Sequence, residues 1–161
     1  MQTHHYISRS EDETLEIGAK LAESMRAGDL FAIDGDLGSG KTELVRGICQ
    51  ALGVEELVSS PTFTIVNEYN GQLATGAAAK IYHVDLYRLE QREDLEQIGL
   101  PEIFADLEVL KLVEWCERAA TMLPSGVCRI RLVASDEEEA TRNIYVEDCR
   151  SEQEPATPKE V

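Results

Sequence analysis

The stretch Gly35-Asp36-Leu37-Gly38-Ser39-Gly40-Lys41-Thr42 constrains this chain more than any other feature. A glycine followed at a four-residue interval by Gly-Lys-Thr is the spacing of a loop that wraps phosphate groups. Each position has a physical task. Glycines reach positive φ and let backbone amides crowd around an anion. The lysine brings a cation to the β- and γ-phosphates, and the threonine offers a hydroxyl to Mg²⁺. The flanks restrict the setting further. Leu30-Phe31-Ala32-Ile33 is a short apolar run without alternation, which predicts a strand buried on both faces. Residues 41–52 repeat Leu44, Val45, Ile48 and Leu52 at helix spacing, and Gly53 is placed to stop that helix. A strand, a glycine loop and a helix in this order predict ATP and Mg²⁺ held by Asp36, Leu37, Gly38, Ser39, Gly40, Lys41 and Thr42. The predicted class is α/β, a P-loop NTPase-like three-layer fold with a central mixed, partly parallel sheet flanked by helices.

Other elements can be read around this centre. Ser10-Glu11-Asp12-Glu13 has capping-box spacing and predicts a helix start, with Leu15, Ala19, Ala22 and Met25 as its apolar face. Residues 5–8 predict a short edge strand. After a turn at Ser59-Ser60-Pro61-Thr62, residues 63–69 predict a strand, Asn70-Gly71 a hairpin turn opening a mobile Gly/Ala-rich loop to Ala79, and residues 81–87 the partner strand. A helix over 92–97, a turn from Pro101, a buried strand at 109–113 and two late strands at 127–133 and 143–146 complete the order. The acidic tip Asp136-Glu137-Glu138-Glu139 reads as a solvated loop. Residues 1–149 are expected to form one domain, and residues 150–161, which lack periodicity, a disordered tail.

A P-loop needs a carboxylate at the end of a neighbouring strand to hold the metal, directly or through water. Asp85 and Glu114 both follow apolar strand-like runs, and at least one should face Mg²⁺. Thr62 and Thr64 lie where switch segments place a hydroxyl near the γ-phosphate. Trp115, the single tryptophan, reads by default as a packing residue.

Charge bounds the partners. The 31 acidic against 15 basic residues give a net charge of −16, so direct nucleic-acid binding would need a local basic patch or a basic partner. Cys49, Cys116, Cys128 and Cys149 form no C-x-x-C pair, the three histidines lie outside zinc-finger spacing, and no apolar run approaches the length that spans a bilayer. A soluble, reduced, cytoplasmic protein without a membrane role is expected.

Four segments in order, the glycine loop, Ser60-Pro61-Thr62-Phe63-Thr64, His83-Val84-Asp85-Leu86-Tyr87-Arg88 and Val113-Glu114-Trp115, resemble the TsaE family of bacterial tRNA threonylcarbamoyladenosine biosynthesis. The resemblance runs from about Thr14 to about Pro124. It implies a P-loop ATPase, weak alone, that works with TsaD and TsaB as they modify adenosine 37 of ANN-decoding tRNAs, with tRNA contact indirect or through that complex. By the same resemblance Lys41, Asp85, Glu114 and Thr62 serve catalysis, Thr42 and Glu114 hold Mg²⁺, and Glu11 and Arg142 border the nucleotide. Glu43 departs from the family pattern and puts a carboxylate close to the metal position. A small-molecule kinase would use the same loop but usually brings a lid with clustered arginines; Arg88, Arg92 and Arg118 are dispersed. A non-hydrolysing, nucleotide-gated binding module is the third class considered.

Overall fold

A computed structural model describes residues 1–61 and 63–150. The elements are β1 (Gln2–Ser8), α1 (Glu11–Ala22), β2 (Leu30–Asp34), α2 (Lys41–Ala51), β3 (Val66–Gln72), β4 (Ala78–Asp85), α3 (Arg92–Gln97), α4 (Leu100–Ala105), β5 (Val109–Glu114), β6 (Cys128–Ala134) and β7 (Arg142–Asp148), with a 3-10 segment at Cys116–Met122. Seven strands form one mixed sheet in the order β1-β7-β6-β2-β5-β4-β3. The centre is parallel, β2 pairing with both β5 and β6 and β4 with β5. The outer pairs β1–β7, β6–β7 and β3–β4 are antiparallel.

Apolar strands without alternation require cover on both faces, and they receive it. On one face Phe31, Ile33, Ile81, Leu110, Leu112 and Ile130 meet Leu21, Leu44 and Ile48 of α1 and α2. On the other, Leu30, Ala32, Val84 and Val113 meet Leu95, Leu100 and Phe104 of α3 and α4. Each of these large side chains contributes roughly 1.5–3 kcal/mol of burial, so the three layers follow from the strand composition.

The predicted strands at 30–33 and 109–113 and the helix over 92–97 fall where expected, and several local expectations are corrected. Ser10 caps α1 by accepting the Glu13 amide, but the Glu13 carboxylate accepts from the Arg9 amide rather than closing a box on Ser10. The buried stripe of α1 is Thr14, Gly18, Leu21 and Ala22, with Leu15 and Ala19 only half-buried. Two glycines explain the rotation. A Cβ on Gly18 would stand 2.5 Å from Leu44 O, and one on Gly47 would stand 2.3 Å from Leu15 O, so α1 and α2 pack backbone to backbone.

Asn70 and Gly71 are not a turn; they pair with Lys80 and Ala79 inside β3–β4. Gly71 is needed there because its Cβ would lie 2.4 Å from Leu52 O, a carbonyl that accepts the Gln72 amide and so ends α2. The reversal falls at 73–77, where Leu73 and Ala77 close the hairpin in place of a long mobile loop. Phe63 is 83% exposed and precedes β3 rather than opening it. Pro101 lies in the first turn of α4, where its missing amide costs nothing, instead of marking a bare turn. Arg150, expected in the tail, belongs to the fold: it donates to Asp29, Asp148 and the Ser24 carbonyl and covers the Phe31 ring. The rest of the expected tail, 151–161, lies outside the described residues.

Candidate functional site

The glycine loop leaves the carboxyl end of the central strand β2, where parallel sheets build their clefts. Gly38 and Gly40 sit at φ +76° and +99°, backbone that other residues adopt only with strain. Gly35 answers a packing demand as well, since a Cβ there would stand 2.5 Å from Ser39 Oγ and 2.6 Å from Leu132 O. The 11-residue helix α2 opens at Lys41 with no side chain capping it, so its amides and positive dipole end face the loop.

Lys41, 5% exposed, donates from Nζ to the carbonyls of Gly35 (2.5 Å) and Asp36 (2.9 Å). The Trp115 ring centroid lies 4.3 Å from the same nitrogen. Burial pulls the Lys41 ammonium below its ordinary value, and the charges of Glu114, Glu117, Asp85 and Asp36 oppose that shift. Trp115 holds φ +58°, an uncommon backbone for a bulky residue, immediately after β5. Asp34 stabilises that turn by accepting the Cys116 amide at 3.1 Å.

Parallel register brings the two strand-end acids together, Asp85 opposite Glu114 and Glu114 opposite Ile33. Thr42 Oγ1 donates to Glu114 Oε1 at 3.4 Å, while Glu114 Oε2 lies 2.5 Å from His83 Nε2. Asp85 accepts the Ser60 hydroxyl at 2.8 Å and the Tyr87 amide at 2.9 Å. Thr42 and Glu114 thus offer a hydroxyl and a carboxylate oxygen at one point, the hard oxygen donors that Mg²⁺ prefers. Uncapped amides, two left-handed glycines and a lysine beside that point fit a phosphate chain. The residues present therefore suit both groups.

A cleft of about 510 Å³ joins these parts. Its lining includes Gly38, Gly40, Lys41, Thr42, Asp85 and Glu114 on the floor and Glu11, Leu37 and Arg142 on the rim. Arg142 donates to Gly38 O at 3.1 Å. Asp36 and Ser39 belong to the loop without lining the cleft; Ser39 Oγ is buried and has no partner among the described residues. Glu43 is engaged by Arg46 at 2.5 Å, and Arg46 also holds Val58 O, which ties α2 to the segment leading to Ser60. Thr62 lies outside the described residues. Three residues assigned no site role from the sequence stand at the site: Ser60 on Asp85, Trp115 on Lys41 and His83 on Glu114. All three lie in the segments that carry the resemblance, and the two-residue spacing from His83 to Asp85 puts both on one strand face.

A glycine loop at the end of a central parallel strand, opening a helix in a sheet covered on both sides, defines the class as α/β with a P-loop-like fold. The solved structure of YdiB from Bacillus subtilis matches with a TM-score of 0.73 and 30% identity, over 92% of this chain and 86% of that one. The family profile described as threonylcarbamoyl adenosine biosynthesis protein TsaE matches residues 8–144. Two curated tRNA threonylcarbamoyladenosine biosynthesis proteins TsaE agree. That of Nostoc sp. is 36% identical over 86% of this chain and 83% of its own length; that of Haemophilus influenzae is 38% identical over 83% and 82%. The chain belongs to the TsaE family.

Proposed function

We propose that this protein is a Mg²⁺-dependent ATPase, slow alone, that sustains turnover of a TsaD–TsaB complex forming the threonylcarbamoyl group on adenosine 37 of ANN-decoding tRNAs in the cytoplasm. The observation that carries the reading is the convergence of Lys41, Thr42 and Glu114 on one cleft. ATP would lay its phosphates along the loop amides, with Lys41 compensating charge on the transferring phosphoryl. Thr42 and Glu114 would hold Mg²⁺, which supplies further charge neutralisation at the β- and γ-oxygens when bound.

Asp85 accepts from the Ser60 hydroxyl and the Tyr87 amide, so it ties the loops on either side to the cleft floor. Partner contact is supported by apolar groups at the cleft mouth: Leu37 is 70% exposed and Tyr87 37%. Phe63, which follows Ser60 and Pro61, lies under the Arg88 guanidinium and faces solvent. The net charge of −16 supports leaving tRNA contact to the partners.

ATP hydrolysis measured with and without TsaD and TsaB tests the reading, for wild type, Lys41→Ala and Glu114→Ala. Strong activation by the partners, lost in both variants, is the expected result. Multiple turnovers of tRNA modification sustained equally well by Lys41→Ala would overturn it.

A further inference from the structure

His83 lies on β4 two residues before Asp85, so the two side chains leave the strand on the same face. Its register partner on β5 is Leu112, one step deeper than Glu114, and it is fully buried beneath the cleft floor. Glu114 is itself buried, and one of its oxygens meets His83 Nε2. With Glu114 as a carboxylate, which only accepts, Nε2 is the donor of this contact. Among the described residues Nδ1 has no partner. Among the described residues its one polar contact is with Glu114, and the Tyr69 ring lies tilted beside it with centroids 6.4 Å apart.

That contact has a directional consequence. With Oε2 held by His83, the oxygen left facing Thr42 is Oε1. We propose that His83 is a positioning residue for the metal: it turns Glu114 so that a single carboxylate oxygen faces the Mg²⁺ point beside Thr42. Magnesium demands near-ideal octahedral geometry and tolerates misplaced ligands poorly, so a carboxylate free to rotate would hold it less well. This inference rests on the Mg²⁺ assignment made above. A histidine that merely filled the core would affect stability and leave metal dependence untouched.

The test compares His83→Gln, whose terminal amide nitrogen reaches the position of Nε2, with His83→Asn, whose amide stops one bond short. Calorimetric ADP binding is measured across a Mg²⁺ titration and again in EDTA, with thermal melts confirming that each variant folds. In His83→Asn the half-saturating Mg²⁺ concentration should rise about tenfold or more. Its EDTA affinity should stay within about twofold of wild type, and the His83→Gln midpoint within about threefold, each below that metal-specific effect. Equal midpoint shifts in both variants, no shift in His83→Asn, or an equal loss of affinity with and without Mg²⁺ would overturn the proposal. Should His83→Asn not fold, a midpoint raised about tenfold in folded His83→Gln would overturn it alone. Wild-type binding indifferent to Mg²⁺ would remove the metal assignment and this inference together; coincident variants over a Mg²⁺-dependent wild type would remove only the latter.

Discussion

Replacing Gly47 with alanine probes the contact that joins the two helices bordering the cleft. Its added Cβ would stand 2.3 Å from Leu15 O and 2.7 Å from Leu15 Cα, both backbone atoms that no rotamer change can move. An ordinary contact near 3.5 Å requires α1 and α2 to part by roughly 1 Å. A clash this close to backbone falls at the upper end of the overpacking range, about 2–3 kcal/mol, against about 1 kcal/mol gained from alanine's helix preference. The net expectation is a loss of about 1–2 kcal/mol, or a fall of roughly 2–8 °C in melting temperature for a chain of this size. Function should follow, because α1 carries Glu11 and Thr14 on one wall of the cleft while α2 carries Lys41 and Thr42 on its floor. Urea denaturation, a thermal melt and ADP titration provide the readouts. The exposed α2 control Gln50→Ala should stay within about 0.5 kcal/mol of wild type. Gly47→Ala at or above wild-type stability would refute the backbone-to-backbone packing.

Further outcomes follow from other contacts. Burial, then the hydrogen bond and charge of Glu117, pushes the Asp34 carboxyl from 3.8 up to about 7. The folded state therefore binds the proton more tightly, and stability attached to this group is present below pH 4 and lost as pH rises to 7. The full shift would be worth about 4 kcal/mol; partial solvent access reduces this to about 1–2 kcal/mol. Asp34→Asn keeps an acceptor for Cys116 and should narrow the difference in urea stability between pH 5 and pH 8 by about 1 kcal/mol; an unchanged difference refutes the assignment. Arg150→Met leaves Asp148 without its ion pair and, among the described residues, Asp29 with only Arg26, 3.8 Å away, and should cost about 2–4 kcal/mol in the same assay; a loss below about 0.5 kcal/mol would mean that the clasp does not stabilise the fold. Trp115 lies over Lys41, so its emission should change when MgADP binds and remain constant in Lys41→Ala; a silent wild-type tryptophan counts against nucleotide binding beside Lys41.

The glycine loop was legible because its constraints are contiguous. A strand, two left-handed glycines and a helix start need only their own neighbours to be interpreted, and Asp85 and Glu114 could be named from the strands they end. Short apolar runs without alternation likewise announced a sheet covered on both faces. Misreadings fell where a residue answers to something distant. Asn70-Gly71 has turn chemistry, but Gly71 serves the approach of Leu52 O from another element. The stripe Leu15-Ala19 satisfied helix spacing, yet Gly18 and Gly47 turned α1 to bring the backbones together. His83 could be counted as a core histidine until register set Glu114 beside it.

By itself, then, the sequence determined the order of the strands and of the two helices beside the glycine loop, the phosphate-type loop and the identity of the acids, since each depends on local periodicity, turn chemistry or residue type. The resemblance already put Glu114 with Thr42; tertiary structure alone decided that Asp85 meets Ser60 and Tyr87, and what holds each acid in place. Those pairings depend on strand register and helix approach, where one residue of slip in a strand reverses every side chain's face, and local sequence does not encode that distance.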